Sequence, residues 1–162
     1  MTASITRDPI VGSSPQRSQA PMTVSMDLPH AFAAIALAAV SWDGVLSMAG
    51  SRALRHCLDY RHPFRDFDDQ RMVTLMNDLL TALRGKGAQH LMVEAAAALS
   101  PRQRATAYAV AAEIMRSDGP LLADERNILD NLAGTLELDP AESERILAVM
   151  DVLHADLLAA GD

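Results

Sequence analysis

The chain has 162 residues, a length that suits one domain with a real hydrophobic core. Apolar residues make up 49% and aromatic residues only 4%; Ala, Leu and Met predominate, which favours helices over strands. The formal net charge of −7 argues against a surface for nucleic acid or anionic lipid, which needs clustered Lys and Arg to displace counterions.

The lone cysteine, Cys57, excludes an intramolecular disulfide and a Cys-rich zinc site, and it points to a reducing compartment. The first 30 residues are polar and rich in Pro and Ser, unlike a secretory signal. The best apolar stretch, Ala31 to Val40, is about half the roughly 20 residues a membrane span needs. The expected location is the cytoplasm.

Residues 1–27 carry Pro9, Pro15 and Pro21 without an apolar period and are expected to form a disordered tail ahead of a helical domain over 28–160. A first helix begins near Pro29 and places Phe32, Ile35, Ala36, Ala39 and Val40 on one face, ending at Asp43-Gly44. A second starts at Ser47 and carries Leu54, Cys57 and Leu58. Pro63 makes Asp59 to Phe67 a loop, because it lacks an amide proton and clashes with a continuing helix. A third helix follows Asp66, Asp68 and Asp69, with the stripe Met72, Leu75, Met76, Leu79, Leu80 and Leu83, and Gly85 and Gly87 stop it. A fourth covers about 88–99. Ser100-Pro101-Arg102-Gln103 is a capping box that opens a fifth, about 101–116, and Asp139-Pro140-Ala141-Glu142 repeats that logic for a seventh, about 140–158. The sixth, between them, shows Leu122, Leu129, Leu132, Ala133 and Leu136; the seventh shows Ile146, Val149, Met150, Leu153 and Leu157. The predicted fold class is all-α, a bundle of about seven helices.

Two junctions are alike. Ser41-Trp42-Asp43-Gly44-Val45-Leu46 and Arg116-Ser117-Asp118-Gly119-Pro120-Leu121 each follow an Ala-rich helix, each place Asp-Gly at its end, and each set a Leu two positions after the Gly. They stand 75 positions apart and suggest an internal duplication of a helix–turn–helix unit. Such turns need no ligand: Gly tolerates the left-handed backbone that ends helices, and Leu46 and Leu121 would plug the core. A metal reading is sharper. With Asp118 at position 5 of a calcium-binding EF-hand loop, Gly119 falls at 6, Leu121 at 8 and Glu125 at the bidentate position 12. Positions 1 and 3 would be Ile114 and Arg116, so the loop is not a functional EF-hand. What remains is a set of oxygen donors, Asp118 and Glu125 with Asp124 or Glu113, suited to a hard cation. The first junction has Gly50 where the Glu would stand.

The duplicated Asp-Gly turn, with Glu seven residues after the second Asp, resembles the tellurite-resistance TerB-like family, over about residues 28–158 and best from Met115 to Pro140. The resemblance implies an all-α fold of about seven helices and acidic turns that bind a divalent metal. It also implies a part in the response to tellurite or related stress, often beside partner proteins. Asp43, Asp118 and Glu125 carry over; Gly50 departs from the pattern and puts a two-site arrangement in doubt.

Other residues invite chemistry. His90 and Glu94 share a helix face at i, i+4, and Glu94 and Glu113 each interrupt an apolar run, where a carboxylate is costly unless paired or solvated. Together they sketch a buried metal enzyme; the plainer reading pairs the two carboxylates with Arg104 or Arg116 or places them at the surface. His56, Asp59 and His62 bracket a turn around Cys57 but lack a recognised zinc spacing. Neither a phosphate loop nor a nucleophile elbow is present in the sequence. The expected protein is therefore a non-enzymatic module, binding calcium, magnesium, manganese or zinc through Asp43, Asp118, Asp124 and Glu125. The alternatives are a metal-free interaction or homo-oligomerisation domain and the enzyme built on Glu94, His90 and Glu113.

Overall fold

The computed structural model describes residues 26–159. The expected tail, Met26 and Asp27 apart, lies outside the described residues. Seven α-helices and a short 3₁₀ turn at Phe64–Asp66 account for the secondary structure, and the described residues contain no strand.

Helix α1 (Leu28–Val40) starts where Asp27 Oδ1 accepts the His30 backbone N–H at 2.9 Å, with Pro29 in its first turn. The sequence predicts one buried face, but all nine residues from Ala31 to Ala39 are buried. Alanine carries no amphipathic contrast, and a helix apolar on every side belongs at the centre of a fold. Helices α4 (Ala88–Ala97) and α5 (Pro101–Ser117) make most of its contacts, with α2 (Met48–Asp59), α3 (Asp69–Lys86) and α6 (Ala123–Thr135) also touching it. Small side chains at Ala95, Ala96, Ala107, Ala111 and Ala112, all buried, let these axes approach closely.

The remaining caps follow the sequence. Ser47 Oγ accepts the Gly50 N–H at 3.0 Å and Asp68 Oδ1 accepts the Arg71 N–H at 2.7 Å. Ser100 and Gln103 form the reciprocal capping box, at 3.2 and 2.9 Å. Replacing Ser100 by Ala is expected to lower stability by about 1 kcal/mol in a denaturant titration. Gly87, with φ +84°, ends α3 and begins α4, while Gly85 sits inside α3. Arg104 ties helix ends together: it donates to the carbonyls of Ala96 (3.0 Å), Leu99 (3.1 Å) and Leu136 (3.3 Å), where α4 and α6 finish.

Helix α7 (Pro140–Leu153) packs on α5, with Arg116 Nε donating to Asp151 Oδ1 at 3.0 Å. It stops short of the predicted residue 158. Asp156 Oδ1 captures the Leu158 backbone N–H at 2.9 Å, a local turn that competes with helix, and Leu157 is 95% exposed. Asp139 caps α7 through the Ala141 N–H at 3.2 Å. Leu122 does not join the buried stripe of α6: the helix begins one residue later, and Leu122 is 68% exposed. Leu46 and Leu121 are partly buried against the core, as expected.

His30 joins α1 to α3, its ring 2.7 Å from Asp27 Oδ1 and 3.1 Å from Asp78 Oδ2. Burial pulls the His30 pKa down, but the two carboxylates outweigh it and hold the imidazole above its ordinary value of 6.5. Burial likewise pushes Asp27 up, and the His30 backbone and ring contacts, with Arg71 nearby, hold it below the usual carboxylate range. A raised histidine stabilises fully below its unfolded value and loses that contribution as pH rises through the folded value. A depressed aspartate stabilises above its unfolded value and loses that as pH falls. The wild-type chain is therefore expected to lose stability above about pH 6.5 relative to His30→Gln, by under about 1 kcal/mol because the groups are solvated. Parallel denaturant titrations of the two proteins between pH 5 and 8 read this difference.

Candidate functional site

Helices α1 and α5 lie side by side, and each is followed by an Asp-Gly turn; α1 stops at Val40, three residues short of Asp43, and α5 at Ser117, next to Asp118. Gly44 (φ +84°) and Gly119 (φ +133°) take the backbone conformation that a side chain disfavours, and the chain reverses into α2 and α6. Because the two turns close the same end of the packed pair, they face one cavity of about 600 Å³. Asp43, Asp118, Asp124 and Glu125 all line it, together with Ser47, Asn127 and Asn131, over an apolar floor that includes Ile114, Met115 and Ile128. Among the described residues, no Lys, Arg or His lines it.

Two of the four carboxylates are partly engaged by their own turns. Asp43 Oδ1 accepts the Val45 N–H at 3.0 Å, and Glu125 Oε1 accepts the Leu122 N–H at 3.0 Å as the cap of α6. Each has a second oxygen outside that bond. Among the described residues, Asp118 and Asp124 have neither an ion-pair partner nor a side-chain hydrogen bond. Four carboxylates round one cavity, without a cationic side chain among them, form an electronegative pocket of hard oxygen donors. The donors do not form a finished cage: among the described residues, no three His, Cys, Asp or Glu side chains stand close enough to hold one metal ion. Oxygen-only donors suit calcium, magnesium or manganese better than zinc, which prefers nitrogen and sulfur. Magnesium in particular keeps several waters and takes only one or two carboxylates.

The sequence reading passed over Trp42, Asn127 and Asn131. The two Asn had a signal, since Asp124, Asn127, Ile128 and Asn131 recur at helical spacing on one face of α6. Trp42 is the chain's single tryptophan, 39% exposed, and sits directly on the cavity wall.

Of the residues suspected of enzymatic work, His90 and Glu94 are neighbours, but among the described residues no third His, Cys, Asp or Glu joins them in a metal-holding group. Glu94 pairs with Lys86 at 2.9 Å, with the His90 ring 3.9 Å away on an exposed side chain. Glu113 stands 3.6 Å from His154, which caps the C-terminal end of α7. The partners are thus a lysine and a histidine, where the sequence suggested Arg104 or Arg116. His56 packs edge-on against Tyr60, Asp59 pairs with Arg55, and His62 pairs with Asp66. Cys57 is buried; that burial pushes its thiol pKa up, Glu113 adds to the rise, and Arg61 opposes it. A thiol so placed is a core hydrophobe rather than a nucleophile.

No helix among the described residues is long and apolar enough to cross a membrane. No curated protein and no solved structure matches the chain. A family model described as tellurite resistance protein TerB matches residues 30–148, from the first turn of α1 into α7 and across both acidic turns. With well over half its length matched, the chain belongs to the TerB family of tellurite resistance proteins.

Proposed function

We propose that this chain is a non-enzymatic, cytoplasmic helical module that holds a hard divalent cation weakly in the cavity between its two acidic turns, in a response to tellurite or related stress. One observation carries the cation reading: Asp43, Asp118, Asp124 and Glu125, drawn from two junctions 75 positions apart, line a single cavity that no Lys, Arg or His of the described residues enters. A duplicated helix–turn–helix unit accounts for that pairing. Direct ligation by one or two carboxylates, with water completing the shell, fits the open spacing of the donors and favours calcium, magnesium or manganese. The family supports the stress role.

Trp42 supplies the test. Chelator-treated protein titrated with each of calcium, magnesium, manganese and zinc is expected to show a saturable change in Trp42 fluorescence, matched by heat in a calorimeter, with zinc the weakest. Absence of saturable binding by all four would sink the reading. A second change tests the wall opposite. An added Cβ at Gly50 would meet only side-chain atoms, Ser47 Oγ at 3.1 Å and Leu46 Cδ1 at 3.5 Å. Gly50→Glu adds a fifth carboxylate to the lining and is expected to tighten cation binding by roughly tenfold, equivalent to about 1.4 kcal/mol.

A metal-free interaction domain is the second reading, favoured by the outer face of α7. Val149, Val152 and Leu153, at i, i+3 and i+4, are 58%, 80% and 59% exposed. Exposed apolar side chains at helical spacing suit a protein partner or a second copy of the chain. Sedimentation with and without chelator discriminates: association indifferent to chelator and abolished by Val152→Glu supports this second reading.

A further inference from the structure

A second cavity, of about 560 Å³, lies where the turn after α2 meets the start of α5. It shares no lining residue with the acidic one. Its apolar wall is Leu28, Phe32 and Phe64; the two Phe rings stand 6.0 Å apart and are 8% and 3% exposed. Arg61 and Arg102 also line it, and among the described residues no Asp or Glu does. In a chain of net charge −7, an apolar hollow flanked by two guanidiniums and no carboxylate is the reverse of the acidic site.

The arginines differ in character. Arg61 is held in place: its Nε donates to the Cys57 carbonyl at 3.0 Å, and its guanidinium carbon lies 5.9 Å from the Phe32 and Tyr60 ring centroids. Its terminal N–H groups have no carboxylate partner among the described residues. Arg102, in the first turn of α5, is exposed and likewise has no carboxylate partner there. His62 also lines the cavity, its ring 3.0 Å from Asp66. The positive end of the α5 dipole adds to the field of the guanidiniums. Guanidiniums bind carboxylate and phosphate in a planar, bidentate fashion, and the volume falls in the range of small-molecule sites.

We propose that this cavity binds a small organic anion, its apolar body against Phe32 and Phe64 and its carboxylate or phosphate head on Arg61 and Arg102. The inference stands apart from the cation reading and survives its failure.

Calorimetric titration of the full chain with octanoate and with phenyl phosphate tests it, with inorganic phosphate as head alone and octanol as body alone. At least one of the two anions is expected to saturate below millimolar concentration, and both controls to bind far more weakly. Arg102→Gln is expected to weaken that binding by at least about tenfold, the size of one charge-assisted contact. Among the described residues Arg102 makes no side-chain hydrogen bond or ion pair, so that variant is expected to keep its fold; Arg61→Gln, checked by thermal unfolding, should act in the same direction. Failure of both anions to saturate overturns the proposal. So does binding that both arginine variants leave unchanged, or binding equalled by inorganic phosphate or by octanol.

Discussion

Replacing Asp118 by Asn and Glu125 by Gln together is expected to abolish the cation-dependent change in Trp42 fluorescence while the far-ultraviolet circular dichroism and the denaturation midpoint stay close to wild type. The pair is chosen for what it preserves. Glu125 caps α6 through Oε1, and a Gln carbonyl accepts the same Leu122 N–H, so the cap survives. Asp118 has no side-chain partner among the described residues, so Asn removes charge without breaking a contact. Two of four carboxylates vanish from the cavity wall, and a hard cation depends on their charge more than on their shape. Glu125→Ala is the useful contrast: it removes both charge and cap, and should cost about 1 kcal/mol of stability in addition to the binding. Cation binding undiminished in the double variant would mean that the acidic turns are architectural, and attention would pass to the exposed face of α7.

Leu37→Ala is expected to destabilise the protein by about 2–5 kcal/mol, enough to threaten folding at physiological temperature. Leu37 is fully buried in α1, which other helices enclose on all sides, so little can relax into the gap. The same enclosure makes the opposite change costly. Ala34 is also fully buried, and Ala34→Leu should cost about 1–3 kcal/mol by overpacking. Urea titrations of the two variants measure both losses. Wild-type-like midpoints would mean that α1 is less tightly enclosed than the structure shows.

Much of the helical plan is legible residue by residue. Ser47, Ser100 and Asp139 each cap the helix their sequence context predicts, because capping involves only neighbours within three positions; Asp68, read only as part of an acidic start, also caps its helix. The misjudged elements are those in which a longer-range or competing contact decides. Val149 and Leu153 read as core by spacing but remain exposed, because α7 packs chiefly on one neighbour. Glu94 and Glu113 read as anomalies in apolar runs, and each proves to face a cation or a histidine that no local pattern could nominate.

For the acidic turns, the sequence by itself determined the residue types, the glycines with their positive φ, and the family that Asp43, Asp118 and Glu125 suggested. Turn geometry is local, so the amino acids on either side suffice to specify it. Only the tertiary structure decided that Asp43 and Asp118 share a cavity, that Asn127, Asn131 and Trp42 join its wall, and that Phe32, Phe64, Arg61 and Arg102 meet around a second one. Those meetings depend on how an Ala-rich α1, alike on every face, seats between α4 and α5. No hydrophobic stripe marks that choice along the chain, because it arises from how closely small side chains allow three helices to approach.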